Sequence, residues 1–110
     1  MTKVISSAEV ENYLFSLMRI LYDKEYFGFE DSANKYVEGL IKDIRVNLPR
    51  KVRKLAPPHF NKYGKGLYYA TFRKSKRTQW YVFYQVYRQN EELVYLIRYI
   101  DNNHNTAHLL

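Results

Sequence analysis

The residues best equipped for chemistry lie between positions 50 and 77. They are Arg50, Lys51, Arg53, Lys54, Lys62, Lys65, Arg73, Lys74, Lys76 and Arg77, with His59, Phe60, Tyr63, Tyr68 and Tyr69 among them. Cations draw in phosphates and aromatic rings stack on unpaired bases, and a groove for single-stranded nucleic acid needs both. The plainer reading is that the tyrosines pair inside a sheet and the lysines coat a loop. A second group closes the chain: Asp101, Asn102, Asn103, His104 and His108. One helical turn would align the two histidines, and either titrates near neutral pH as a general acid or base. Alternatively, the asparagines simply turn the chain at the end of a strand. Only His59 and Asp101 could join the histidines around a metal ion, at no recognisable spacing, so neither a metal nor a cofactor is expected. Gly64-Lys65-Gly66 lacks the spacing of a phosphate-binding loop, and neither a nucleophilic serine turn nor an acid pair accompanies the basic stretch. Catalysis would therefore rest on Lys, Arg, His and Tyr. That set can cleave RNA without metal: a base takes the 2′-hydroxyl proton, cations stabilise the crowded phosphate and an acid protonates the leaving oxygen.

The charge is segregated. The chain carries +7 over 110 residues, but residues 1–48 hold six Lys/Arg against eight Asp/Glu, whereas residues 49–110 hold twelve against three. Between Asp43 and Glu91 there is no acid. A stretch like this cannot neutralise itself locally, which favours an anionic partner. With no cysteine, disulfides and thiolate metal sites are excluded and a reducing compartment is expected. Charges interrupt the N-terminal apolar positions, so no signal peptide is read there, and no stretch reaches the ~18 apolar residues of a membrane span. These points predict a cytoplasmic protein, soluble and away from membranes, folding as one domain over 1–110.

Hydropathy patterning supplies the elements that must position these groups. Val4-Ile5 form a short N-terminal strand. Ser6 and Glu9 have capping-box spacing, and Val10, Tyr13, Leu14, Leu17, Met18, Leu21 and Tyr22 follow helical periodicity. Gly28 closes that helix. Glu30, Asp31 and Ser32 suit the start of a second, which buries Ala33, Tyr36, Val37, Leu40, Ile41 and Ile44 and stops before Pro49. Residues 50–66 read as a long basic loop broken by Pro57-Pro58, Gly64 and Gly66. Three aromatic and β-branched runs follow, 67–72, 80–87 and 93–100, joined by short polar links that predict antiparallel hairpins. The predicted architecture is α+β: an antiparallel helix pair on one face of a small antiparallel sheet, with the opposite face open.

This order resembles the RelE/ParE superfamily of toxins from type II toxin–antitoxin systems. The resemblance is carried by Gly66-Leu67-Tyr68-Tyr69-Ala70-Thr71-Phe72-Arg73, by Thr78-Gln79-Trp80-Tyr81 with the strand that follows, and by Leu93–Ile100 with the ending Asp101-Asn102-Asn103-His104. It implies a toxin held by an acidic antitoxin. In RelE-type members the activity is ribosome-dependent cleavage of mRNA; ParE-type members instead poison DNA gyrase. Carried over by position, phosphate binding falls to Arg73, Lys74 and Arg77, with Arg53 and Lys54 entering from the loop. Proton transfer falls to His104 or His108, with Tyr81 as a stacking or relay residue. Tyr81 stands where several ribonuclease members have arginine, and Asn102-Asn103 where they have a Lys/Arg pair. A RelE-like mRNA-binding toxin and metal-independent endoribonuclease is the leading expectation. A gyrase-binding toxin and an inactive interaction domain of the same fold remain alternatives.

Overall fold

The computed structural model describes residues 2–23, 30–106 and 109–110. Its elements in chain order are β1 (Thr2–Ser6), α1 (Ala8–Asp23), α2 (Glu30–Asn47), β2 (Lys54–Leu55), β3 (Tyr68–Arg73), β4 (Gln79–Gln89), β5 (Glu92–Asn102) and α3 (Asn103–Thr106). Two 3₁₀ segments, Leu48–Arg50 and Pro58–Tyr63, lie either side of β2. The basic region is therefore not one long loop. No helix among the described residues is long and apolar enough to cross a membrane.

The sheet order is β1-β5-β4-β3-β2, and β3, β4 and β5 form the expected antiparallel meander. β1 departs from the expectation, because it pairs with β5 in parallel and makes the sheet mixed. The physical reason is connectivity: a tight turn forces neighbours to be antiparallel, but β1 leaves the sheet through the helices and meets β5 without a shared turn. The β4–β5 turn is tighter than the predicted Arg88–Glu92 link. Asn90 and Glu91 sit at φ 49° and 65°, the positive pair of a type I′ hairpin turn.

The helices bury their predicted stripes against one sheet face. Val10, Leu14 and Leu17 of α1 and Val37, Leu40 and Ile44 of α2 pack on Ala70, Phe72, Trp80, Val82, Tyr84, Tyr95, Ile97 and Ile100. Trp80 Nε1 donates to Tyr36 Oη at 2.9 Å, tying α2 to the start of β4 while satisfying a buried indole. The α1 cap is shifted by one residue from the predicted box. Ser6 is spent pairing with Ile97 in the sheet, and Ser7 Oγ accepts the amide of Val10 at 3.3 Å instead. Ser7→Ala is expected to lower stability by about 1 kcal/mol in urea denaturation, a larger loss than Ser6→Ala produces through the cap.

The opposite face is not open, as the sequence predicts it to be. Phe60, Leu67 and Phe83 form a second buried cluster there, with Ala56, Tyr63, Tyr69, Tyr81, Tyr99 and Leu109 around it. The cover is the 3₁₀ segment, whose Phe60 is only 2% exposed. The register shifts at Phe83/Tyr84, where β5 carries Arg98 as an extra residue between Ile97 and Tyr99. That bulge reverses the alternation of β5, so Ile97 and Ile100 both reach the helix core while Tyr99 joins the second cluster.

Candidate nucleic-acid interface

Alternation along the strands assigns Tyr69, Thr71 and Arg73 of β3 and Tyr81 and Phe83 of β4 to the face away from the helices, beside Tyr99 of β5. The 3₁₀ segment covers one half of this outer face. Phe60 stacks on Phe83 at 4.3 Å between centroids, and Tyr63 lies flat on Tyr99 at 3.8 Å and 5°. The other half keeps Tyr69 and Tyr81 only half-buried, 6.3 Å apart, Tyr69 beside Phe83 and Tyr81 nearer the β3–β4 turn, with Lys54 Nζ 5.9 Å from the centre of the Tyr69 ring.

The β3–β4 turn brings cations to the end of that half. Ser75 Oγ accepts the amides of Arg77 and Thr78 at 3.3 and 3.1 Å, and Thr78 O accepts the Lys74 amide at 3.0 Å, which holds the turn tightly. Asn103 then clamps it to the end of β5, its Oδ1 accepting the Gln79 amide at 3.0 Å and its Nδ2 donating to Arg77 O at 3.1 Å. The asparagines do more than turn the chain. They set Arg77, Tyr81 and His104 at one end of the sheet, with His104 exposed and its amide donating to Asn102 Oδ1 at 3.0 Å. His108 lies outside the described residues.

The predicted cation set is divided between two faces. Arg73, Lys76 and Arg77 are exposed at the turn end, Lys54 lies over Tyr69 and Lys62 over Tyr63, all on or beside the outer face. Lys51 lies 4.7 Å from the Phe72 ring and Lys74 5.7 Å from the Tyr36 ring, both against the helix layer. Arg53 also belongs to that side, donating to Tyr95 Oη at 3.1 Å and lying 5.5 Å from Tyr68. Lys51, Arg53 and Lys74 are therefore removed from the outer-face set, because Lys51 and Arg53 settle over Phe72 and Tyr68, which strand alternation turns to the helix side, and Lys74 over Tyr36 of α2. Arg50 and Lys65 are exposed. Two predicted stacking rings are corrected as well: Phe60 is core, and Tyr68 sits beneath Arg53 on the helix side.

Arg98 and Tyr99 join the site without having been singled out, and Asp101, read in the sequence only as part of the polar tail, acquires a role beside them. A lone arginine inside the apolar run 93–100 was the available signal, since a charge there marks either a bulge or an exposed edge. Arg98 Nε donates to Tyr63 O at 3.0 Å, fastening the 3₁₀ segment to β5. Tyr99 Oη donates to Asp101 Oδ2 at 2.8 Å, directly across the ladder from Tyr81. Burial and then the Asp101 carboxylate hold the Tyr99 phenol well above its ordinary pKa, so it remains a proton donor and is a poor base. Among the described residues no three His, Asp or Glu side chains gather closely enough to hold a metal ion.

Tyr84, on the helix side, makes a separate electrostatic point. It is fully buried, no described protein group lies within hydrogen-bond distance of its hydroxyl, and burial pushes its pKa up to about 12 against the opposing pull of Arg53. A raised folded pKa on an acid means the native state keeps its proton after the unfolded chain has lost it. The corresponding stability is intact below pH 10 and disappears as pH climbs from about 10 to 12. Tyr84→Phe should raise neutral-pH stability by roughly 1 kcal/mol, by removing an unpartnered buried hydroxyl, and flatten the alkaline loss. Urea titrations at pH 8 and pH 11 check both parts.

Compared with family models, curated proteins and solved structures, the chain matches none.

Proposed function

We propose that this protein binds single-stranded RNA across the outer sheet face and acts as a RelE-type toxin on mRNA at the ribosome. The observation carrying this reading is the half-buried Tyr69–Tyr81 pair, bordered by Lys54, Arg73, Lys76 and Arg77 in a stretch with no acid from residue 44 to residue 90. Rings at this spacing accept bases while the turn cations take the phosphates. Arg77 would stabilise the phosphate under attack, with His104 and Tyr81 exchanging protons at the same end of the sheet. The working compartment is the cytoplasm, and an acidic antitoxin segment laid over the +9 half would neutralise it. Purified protein incubated with translating ribosomes and a reporter mRNA tests the reading. Transcripts shortened within codons are expected, and transcripts intact at every protein concentration reject the nuclease.

One observation favours a second reading without cleavage. The phenol hydrogen-bonded beside this end of the face, Tyr99 to Asp101, is locked as a donor, which leaves binding as the main chemistry there. In that case the surface engages a protein target such as DNA gyrase, and inhibition of supercoiling in a purified gyrase assay distinguishes it.

A further inference from the structure

A cavity of about 520 Å³ opens at the sheet edge where β1 has ended. β1 pairs with β5 only as far as Ser6 and Ile97, and the chain then turns into α1, so Arg98 to Asp101 face a gap between α1 and the 3₁₀ segment. Its volume falls within the roughly 300–1,000 Å³ of small-ligand sites. Its lining is unlike the rest of the basic half, because both signs of charge meet there. Lys62 and Arg98 stand on the side of the 3₁₀ segment, Glu9 and Tyr13 on the side of α1, and Asp101 between Tyr99 and Tyr13.

We infer that this cavity takes a guanine 5′-phosphate, and that on a bound strand it reads one guanine base. This deepens the proposed RNA reading and rests on it for the strand, though not for the mononucleotide. The Tyr63–Tyr99 stack presents an aromatic wall, made rigid by the Arg98 bond to Tyr63 O and the Tyr99 bond to Asp101. The cations Lys62 and Arg98 suit a phosphate at that wall. Opposite them, the exposed Glu9 carboxylate is an acceptor with two parallel oxygens. Guanine alone among the four bases offers two parallel donors on its Watson–Crick edge, N1–H and N2–H. Adenine presents a bare N1 acceptor there, cytosine a bare N3, and uracil one donor between two carbonyls. A carboxylate therefore attracts guanine and repels the lone pairs of the others. The position also suits the strand path. Asp101 is the ladder partner of Tyr81, so a strand crossing Tyr69 and Tyr81 reaches the cavity at the next strand.

The test titrates the full chain with 5′-GMP, guanosine, 5′-IMP and 5′-AMP, and with uridine hexamers carrying one central G or one central A. GMP is expected to bind on the order of tenfold more tightly than AMP, the usual scale of one bidentate base contact. IMP, which lacks the N2 donor, should lose most of that advantage. The G hexamer should exceed the A hexamer by a similar factor. Glu9→Gln, a surface change in the first turn of α1, should bring both ratios to within about twofold while sparing the A hexamer, and Arg98→Ala should weaken GMP more than guanosine. Equal binding of GMP and AMP, or a ratio unchanged in Glu9→Gln, overturns the cavity. Hexamers bound without base preference keep the RNA reading and remove the cavity. GMP selectivity with no hexamer binding keeps the cavity and removes the RNA reading, and no binding of either kind removes both.

Discussion

Phe60→Ala is expected to destabilise the protein by about 3–5 kcal/mol, the largest single effect on its stability outside the helix core. Phe60 stacks on Phe83, packs edge-on against His59 and lies 6.5 Å from both Tyr63 and Tyr99, so one side chain ties the 3₁₀ segment to two strands. Its removal strips the cover from Phe83, a fully buried ring at the middle of β4. The segment's other ring anchor is the Tyr63–Tyr99 stack. Lys54 and Leu55 make only two ladder pairs with β3, and Arg98 contributes a single exposed hydrogen bond. Urea denaturation checks the value, with Phe15→Ala as the control. Phe15 is 75% exposed on α1, and its loss should stay within about 0.5 kcal/mol. A Phe60→Ala penalty near that of the control would mean the second cluster does not hold this face closed.

Removing Arg73, Lys76 and Arg77 together is expected to lower affinity for single-stranded RNA by on the order of 10–100-fold at low salt. The logarithmic salt slope should fall by about 2, since each lost phosphate contact on a single strand contributes roughly 0.7. These three are the exposed cations at the turn end of the outer face, and the turn beneath them is held by backbone and Ser75 bonds that alanine leaves in place. Alanine at Lys51, Arg53 and Lys74 together is the matched control. It removes the same three charges from the chain, but from the helix side, over Phe72, Tyr68 and Tyr36. Net charge alone predicts similar losses for similar charge removed; a localised interface predicts a steep loss for the first set and a shallow one for the second. Binding curves at several salt concentrations separate them.

How much of this was legible in the sequence depended on whether local spacing or distant packing decided the outcome. The apolar stripe of α2 from Ala33 to Ile44 and the three aromatic strands were readable because burial imposes a period on neighbouring residues. Ser6 versus Ser7 was not, because the choice of cap turned on how far β1 pairs with β5, some ninety residues away. The parallel pairing of β1 was hidden for the same reason. Arg50 to Arg77 stood out as a charge run, yet composition could not say that β2 sends Lys54 to one face and Arg53 precedes it onto the other. Phe60 looked like a stacking ring among cations, and only a 3₁₀ turn folded back onto Phe83 makes it core. Arg98 was visible as an anomaly but acquired a role only through the bulge.

The central claim, that the Tyr69–Tyr81 surface binds unpaired RNA bases, is tested most directly by one comparison: the affinities of a single-stranded RNA and of its duplex for the wild-type chain and for the Tyr69→Ala, Tyr81→Ala double variant. Base stacking contributes roughly 1–3 kcal/mol per base, so the double variant should lose on the order of 10–100-fold or more for the single strand and little for the duplex. The wild type should prefer the single strand. Equal affinity for both forms, or a double variant that binds the single strand as tightly as the wild type, would contradict it.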